Sequence, residues 1–166
     1  MKMKFQLLAM MFIAALAFSA CGDDDKNDGI TVPDAVSKAL KNKYPAATDI
    51  EWERKGDYFV ADCWMDGKEM DVWYDTQAVW RLTEVDILWG SLPPTVQTAF
   101  EGGEYANWKR EDIDMLEYPV QYVIEVEKGN LEYQLFYAED GALLQQRDVS
   151  GDKDDTHWPI DKKVAE

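Results

Sequence analysis

"YFVADCWMDGKEMDVWYDTQAVW", from Tyr58 to Trp80, alternates in polarity on both sides of a central Asp66-Gly67 pair. Alternation at period two marks a strand with one buried face, and Asp-Gly between two such runs marks a tight hairpin turn. Phe59, Ala61, Cys63 and Met65 fall on one face of the first run, and Tyr58, Val60, Asp62 and Trp64 on the other. The acid-free set is the core face. The second run then points Met70, Val72 and Tyr74 inward and Asp71 and Trp73 outward. A further hairpin at "DTQA" places Ala78 in the left-handed position that glycine takes more readily, at a cost of about 1 kcal/mol.

The same pattern returns in "QYVIEVEKGNLEYQLFYAEDGAL", Gln121 to Leu143. Tyr122, Ile124 and Val126 lie opposite Gln121, Val123, Glu125 and Glu127, and the next strand points Tyr133, Leu135 and Tyr137 inward. Gly129-Asn130 is its first turn, and Gly141 takes the left-handed place held by Ala78. Upstream, "VPDAVSKAL" at Val32 matches "LPPTVQTAF" at Leu92, and "IEWER" at Ile50 matches "ANWKR" at Ala106. Matched blocks in the same order define an internal repeat. Each unit opens with a short amphipathic helix. Val36, Ala39, Leu40 and Tyr44 share one side in the first, as do Val96, Ala99 and Phe100 in the second. Pro33 and Pro93 suit a first helical turn, while Pro45 and Gly102-Gly103 stop the helices. Trp52 and Trp108 share the phase of the core, and Trp80 fits either face.

The expected fold is therefore α+β: two tandem helix-plus-four-strand repeats, residues 32–90 and 91–150, forming one antiparallel sheet of about eight strands with both helices on one face. Residues 151–166 read as a polar C-terminal tail.

The N-terminus reads as a leader. Lys2 and Lys4 precede an apolar run ending at Phe18, and Ser19 and Ala20 lead to Cys21. The run falls short of the roughly 20 residues a spanning helix needs. An ordinary secretory signal fits. A bacterial lipoprotein signal over residues 1–20, with Cys21 lipidated, fits better, because an exported chain has little other use for a lone cysteine there. Phe18 departs from the leucine usual three residues before that cysteine. Residues 21–31, with "GDDDKND", read as an acidic flexible tether that resembles the signal sending some lipoproteins to the outer face of the outer membrane. The expected location is the outer membrane surface, otherwise the periplasm. Losing Lys2 and Lys4 makes a chain of net charge −16 more acidic still. Such a surface repels nucleic acid, whose binding needs basic residues on phosphate.

Catalytic signatures are missing from the sequence. His157, the one histidine, lies in the tail, so no Ser-His-Asp or Cys-His pair fits the folded part. Cys63 sits on the core face and reads as a structural thiol. No cofactor is expected. "DDDKNDG" and "SGDKDDT" offer the oxygen ligands calcium takes, yet neither fits the calcium-loop spacing, and a solvated tail explains both. The face away from the helices is more informative. Tyr58, Asp62, Trp64, Asp71 and Trp73 project there as candidate partner-binding residues. A cross-strand aromatic ladder that only stabilises the sheet explains them equally well. Two functions remain open: a non-catalytic, lipid-anchored envelope module binding a protein or peptide, and a calcium-responsive envelope protein.

The helix opening with proline, with "DGKEMDVWYDTQAVW" and "GNLEYQLFYAEDGALL", resembles the PepSY-like family of small exported bacterial proteins. That family's motif is an alternating strand, an Asp, a turn Gly and an aromatic. Asp75 and Trp80 fit the first copy, with Ala78 in place of Gly. Gly141 fits the second, with Ala138 and Leu143 replacing the Asp and the aromatic. The resemblance implies an architecture similar to the beta-lactamase inhibitory protein and a role in restraining peptidases, on structural rather than catalytic motifs.

Overall fold

A computed structural model describes residues 30–151 together with the two-residue strand β1 (Lys26–Asn27). Helix α1 (Asp34–Lys43) is followed by β2 (Thr48–Lys55), β3 (Tyr58–Met65), β4 (Lys68–Asp75) and β5 (Trp80–Asp86). A short 3-10 turn, Trp89–Ser91, leads to α2 (Pro94–Glu101), then β6 (Lys109–Glu117), β7 (Val120–Lys128), β8 (Leu131–Tyr137) and β9 (Leu143–Asp148). The strands lie in sequence order. The eight from β2 to β9 pair antiparallel, and β1 adds in parallel at the β2 edge, opposite Glu51 and Trp52. That short strand falls within the segment read as a free tether, so at these two residues the chain is held to an edge with unpaired backbone groups.

Both helices begin one residue later than the prolines suggest. Pro33 and Pro93 are caps with extended ψ near 139° rather than first-turn residues. In that conformation each carbonyl closes the opening turn, accepting from Val36 at 2.9 Å and from Gln97 at 3.1 Å. Asp34 at the start of α1 and Lys41 and Lys43 at its end complement the helix dipole.

The strand parity holds on the helix side. Val36 and Leu40 of α1 and Tyr44 at its C-terminal cap pack with Trp52, Phe59, Ala61, Cys63, Met70, Val72 and Tyr74. Val96 and Phe100 of α2 pack with Tyr122, Ile124, Val126, Leu135 and Tyr137, and half-buried Trp108 and Tyr133 close over them. Trp80 turns to the helix side, where Lys43 Nζ stands 4.0 Å over its ring. A directed hydrogen-bond chain crosses from this core to the second half. Trp80 Nε1 donates to Thr83 Oγ1 at 2.9 Å, and Tyr44 Oη donates to Glu117 Oε2 at 2.7 Å. Tyr44 has one proton, so Thr83 supplies the hydrogen in their 2.6 Å contact.

The turns follow their chemistry. Asp66 and Gly67 adopt φ of 54° and 76°, and Ala78 does take the left-handed conformation, at 61°. Asp75 holds that turn by accepting from the backbone of Gln77 and Val79 at 2.8 and 3.0 Å. In the second half Asp140 serves instead, accepting from Ala142 at 2.9 Å. Gly141, at φ 89°, also lies so close to α2 that a Cβ there would meet the Thr95 carbonyl oxygen at 2.6 Å.

The face away from the helices is not open throughout. Val60, Trp73, Leu82, Leu116, Val123 and Phe136 form a third buried cluster there, with Tyr58 packed against it. The apolar members face one another across the ladder, as Val60–Trp73, Trp73–Leu82 and Val123–Phe136 register pairs. Three packed clusters thus occupy two faces, and alternation in the strands could reveal only which face each residue shares.

Candidate partner-binding face

The strands β3 and β4 bring all five candidate partner-binding residues to the side away from the helices, but unequally. Trp73 is corrected from exposed to buried, with 1% of its surface accessible. The reason is local: the Tyr58 ring meets it edge-on at 6.0 Å, Lys55 Nζ stands 5.6 Å over it, and Val60 and Leu82 flank it. Tyr58 is half-buried by the same contact. Trp64, at the far end of β3 and paired with Glu69, keeps 45% of its surface exposed. Cys21, the expected lipidation site, lies outside the described residues, as do the leader, the aspartates of both stretches weighed for calcium and His157.

Asp62 and Asp71 stand directly opposite each other in the ladder. The row extends in both directions, with Glu51 opposite Asp62 and Glu84 opposite Asp71. Four carboxyl groups therefore cross β2 to β5 side by side. Like charges so placed destabilise one another, and each raises the proton affinity of its neighbour. Burial, then Glu84 and Asp62, push Asp71 up to about 8, against a partial pull down from Lys55. Burial, then Glu69 and Glu51, raise Asp62 to about 6. At neutral pH Asp71 is thus largely a protonated acid.

Alternation had placed Glu125 on this side, but Glu84 and Asp114 went unrecognised there. Glu84, Asp114 and Glu125 are buried, with Gln134 Nε2 donating to Glu125 Oε2 at 3.1 Å. Asp114 is held well above the ordinary carboxylate range by burial, by Asp112, and by a hydrogen bond with Asp86. The carboxylate oxygens of Asp86, Asp112 and Asp114 lie within 4.8 Å of one another, the group among the described residues able to hold a hard cation. The alternation of Asp112 and Asp114 with Ile113 and Met115 was the available signal; nothing in that pattern marks Asp114 for burial. Cys63 is fully buried, and burial pushes its thiol up to about 12, the reverse of an activated nucleophile.

An eight-stranded antiparallel sheet, two helices on one face and a second face of aromatics and carboxylates define a two-layer α+β protein. The chain belongs to the PepSY-like family: the family described as "Putative beta-lactamase-inhibitor-like, PepSY-like" matches residues 57–145. Solved structures agree. A BLIP-like protein from Bacteroides fragilis NCTC 9343 is 45% identical over 80% of this chain and 96% of its own, with a TM-score of 0.72. A DUF2874 family protein from Bacteroides ovatus ATCC 8483 is 36% identical over 74% and 91%, with a TM-score of 0.70. A protein from Bacteroides eggerthii DSM 20697, described as "putative periplasmic", is 28% identical over 73% and 91%, with a TM-score of 0.69. No curated protein matches the chain.

Proposed function

We propose that this chain is a non-catalytic binding module of the cell envelope, tethered by lipid at Cys21, that engages a protein or peptide partner through the accessible part of the face away from the helices. Trp64 carries the reading: a tryptophan 45% exposed on that face, two residues along β3 from half-buried Asp62, has the character of an interface anchor. Asp71 and Trp73 stand on the same face on the neighbouring strand β4. The family's inhibitor-like name favours a partner that is itself an enzyme, with restraint of a peptidase as a special case. The relative described as periplasmic supports export, and the Ser19-Ala20-Cys21 sequence supports residues 1–20 as its signal. The order helix, four strands, helix, four strands supports a tandem duplication over residues 32–90 and 91–150. An envelope pull-down with the mature protein, repeated with Trp64→Ser, tests the reading. The anchor role predicts a partner retained by the wild type and lost by the variant.

A second reading, calcium response, draws on the convergence of Asp86, Asp112 and Asp114. Calcium titration followed by tryptophan fluorescence tests it, since seven tryptophans report on the fold. A saturable change abolished by Asp112→Asn supports it, and an unresponsive spectrum counts against it.

A further inference from the structure

The two halves of the sheet part at one end of their seam. β5 and β6 share only the register pairs Glu84–Leu116, Val85–Met115 and Asp86–Asp114, and a last backbone bond from Ile87 N–H to the Ile113 carbonyl closes the join at 3.0 Å. Beyond it the chain leaves β5 through Leu88 into the turn at Trp89, while β6 continues back to Lys109. A cleft of about 680 Å³ lies between them, walled on its far side by the β3–β4 hairpin.

Its lining is mixed. Trp64 and Leu88, 45% and 80% exposed, supply apolar surface. Asp66, Glu69, Asp86, Glu111 and Asp112 supply carboxyl groups, against two bases in the lining, Lys68 and Arg110, and Lys109, which pairs with Glu111. Arg110 stacks 4.0 Å over the ring of Trp89, which lines the same cleft. Low-dielectric walls around an excess of acid focus a negative potential into such a recess. The exposed Trp64 ring favours a cation at its face, and Leu88 favours an alkyl chain. The volume suits a few side chains, not a folded domain.

We propose that this cleft receives an extended segment of the partner protein that presents a lysine or arginine beside an apolar residue. The proposal rests on the binding-module reading and names the partner chemistry for it. The charge complementarity carries it: a basic residue is the group that an acid-rich, aromatic-edged recess recognises, and an acidic or wholly apolar segment would lose that attraction.

The test is fluorescence anisotropy with a labelled, acetylated peptide alternating lysine with leucine. Two companion peptides replace the lysines by glutamate or the leucines by serine. Leu88→Ser, Trp64→Ser and the pair Asp86→Asn/Asp112→Asn alter the cleft; Glu101→Gln and Glu139→Gln, exposed acids elsewhere, are controls. Leu88→Ser changes a side chain too exposed to affect folding. The proposal expects the lysine–leucine peptide to bind best, each cleft variant to weaken it by about tenfold or more, and the controls to stay within about twofold. Equal weakening by cleft and control variants, or equal binding of the serine peptide, overturns it in favour of diffuse charge attraction. An envelope partner that binds Leu88→Ser and Asp86→Asn/Asp112→Asn at wild-type affinity but is lost by Trp64→Ser overturns the cleft while leaving the binding module standing. A wild-type protein that retains no envelope partner at all counts against the binding module itself.

Discussion

Replacing Asp71 by Asn removes an ionisation that the fold resists. In the unfolded chain this carboxyl loses its proton near its ordinary value of 3.8, whereas in the folded chain burial, Glu84 and Asp62 hold the proton until about pH 8. Below pH 4 both states are protonated and the residue exacts no penalty. As pH rises from about 4 to 8 the folded state binds more protons than the unfolded, so unfolding becomes easier and stability falls. At about 1.4 kcal/mol per unit, the full separation sets a ceiling of about 6 kcal/mol. Asp71 retains some contact with solvent, and Asp62 shares the strain with it, so about 2–4 kcal/mol is the expected effect. Asn has the shape of the protonated acid and does not titrate. The variant should match the wild type near pH 4 and exceed it by that margin near pH 8, in urea melts followed by tryptophan fluorescence. A stability difference that is the same at both pH values would place the effect in packing rather than ionisation and exclude a buried, protonated Asp71 as its source.

Tyr44→Phe breaks the chain from Trp80 through Thr83 to Glu117 and leaves the fully buried Thr83 hydroxyl without its acceptor, so denaturant melts should show a loss of about 1–3 kcal/mol. Ala78→Gly should stabilise the protein by about 1 kcal/mol by relieving a left-handed alanine. Gly141→Ala should destabilise it by more than that, since the new Cβ meets the α2 backbone as well as an unfavourable φ. Intact-mass analysis of protein from native membranes should find Cys21 as a lipid-bearing N-terminus; unmodified protein released freely on lysis would exclude the anchor.

Which face each strand residue occupies was legible because the side-chain period is two, and Phe59, Val72 and Ile124 are buried where alternation put them. Ala78 was legible too, because turn geometry demands a particular φ whatever residue fills it. The burial of Trp73 was not. It depends on Tyr58 and Lys55 lying across the ring, a matter of side-chain reach and sheet curvature rather than of pattern. The opposition of Asp62 to Asp71 follows directly from the Asp66-Gly67 hairpin, whose turn fixes the register, and was open to the same reading. The meeting of Asp86 with Asp114 was not, because it crosses the long connection through α2. The cleft beyond that pair has the same origin: its walls come from a hairpin tip, a linker and the start of β6, segments far apart in the chain.

The binding face is tested most sharply by the affinity of the Trp64→Ser protein for the envelope partner that the wild type retains, measured by calorimetry beside far-ultraviolet circular dichroism. Trp64 packs little and should leave the fold intact, so the spectrum should match the wild type while affinity falls by about tenfold or more. Wild-type affinity with an unchanged spectrum would contradict the account and move the partner site to the helices or the loops.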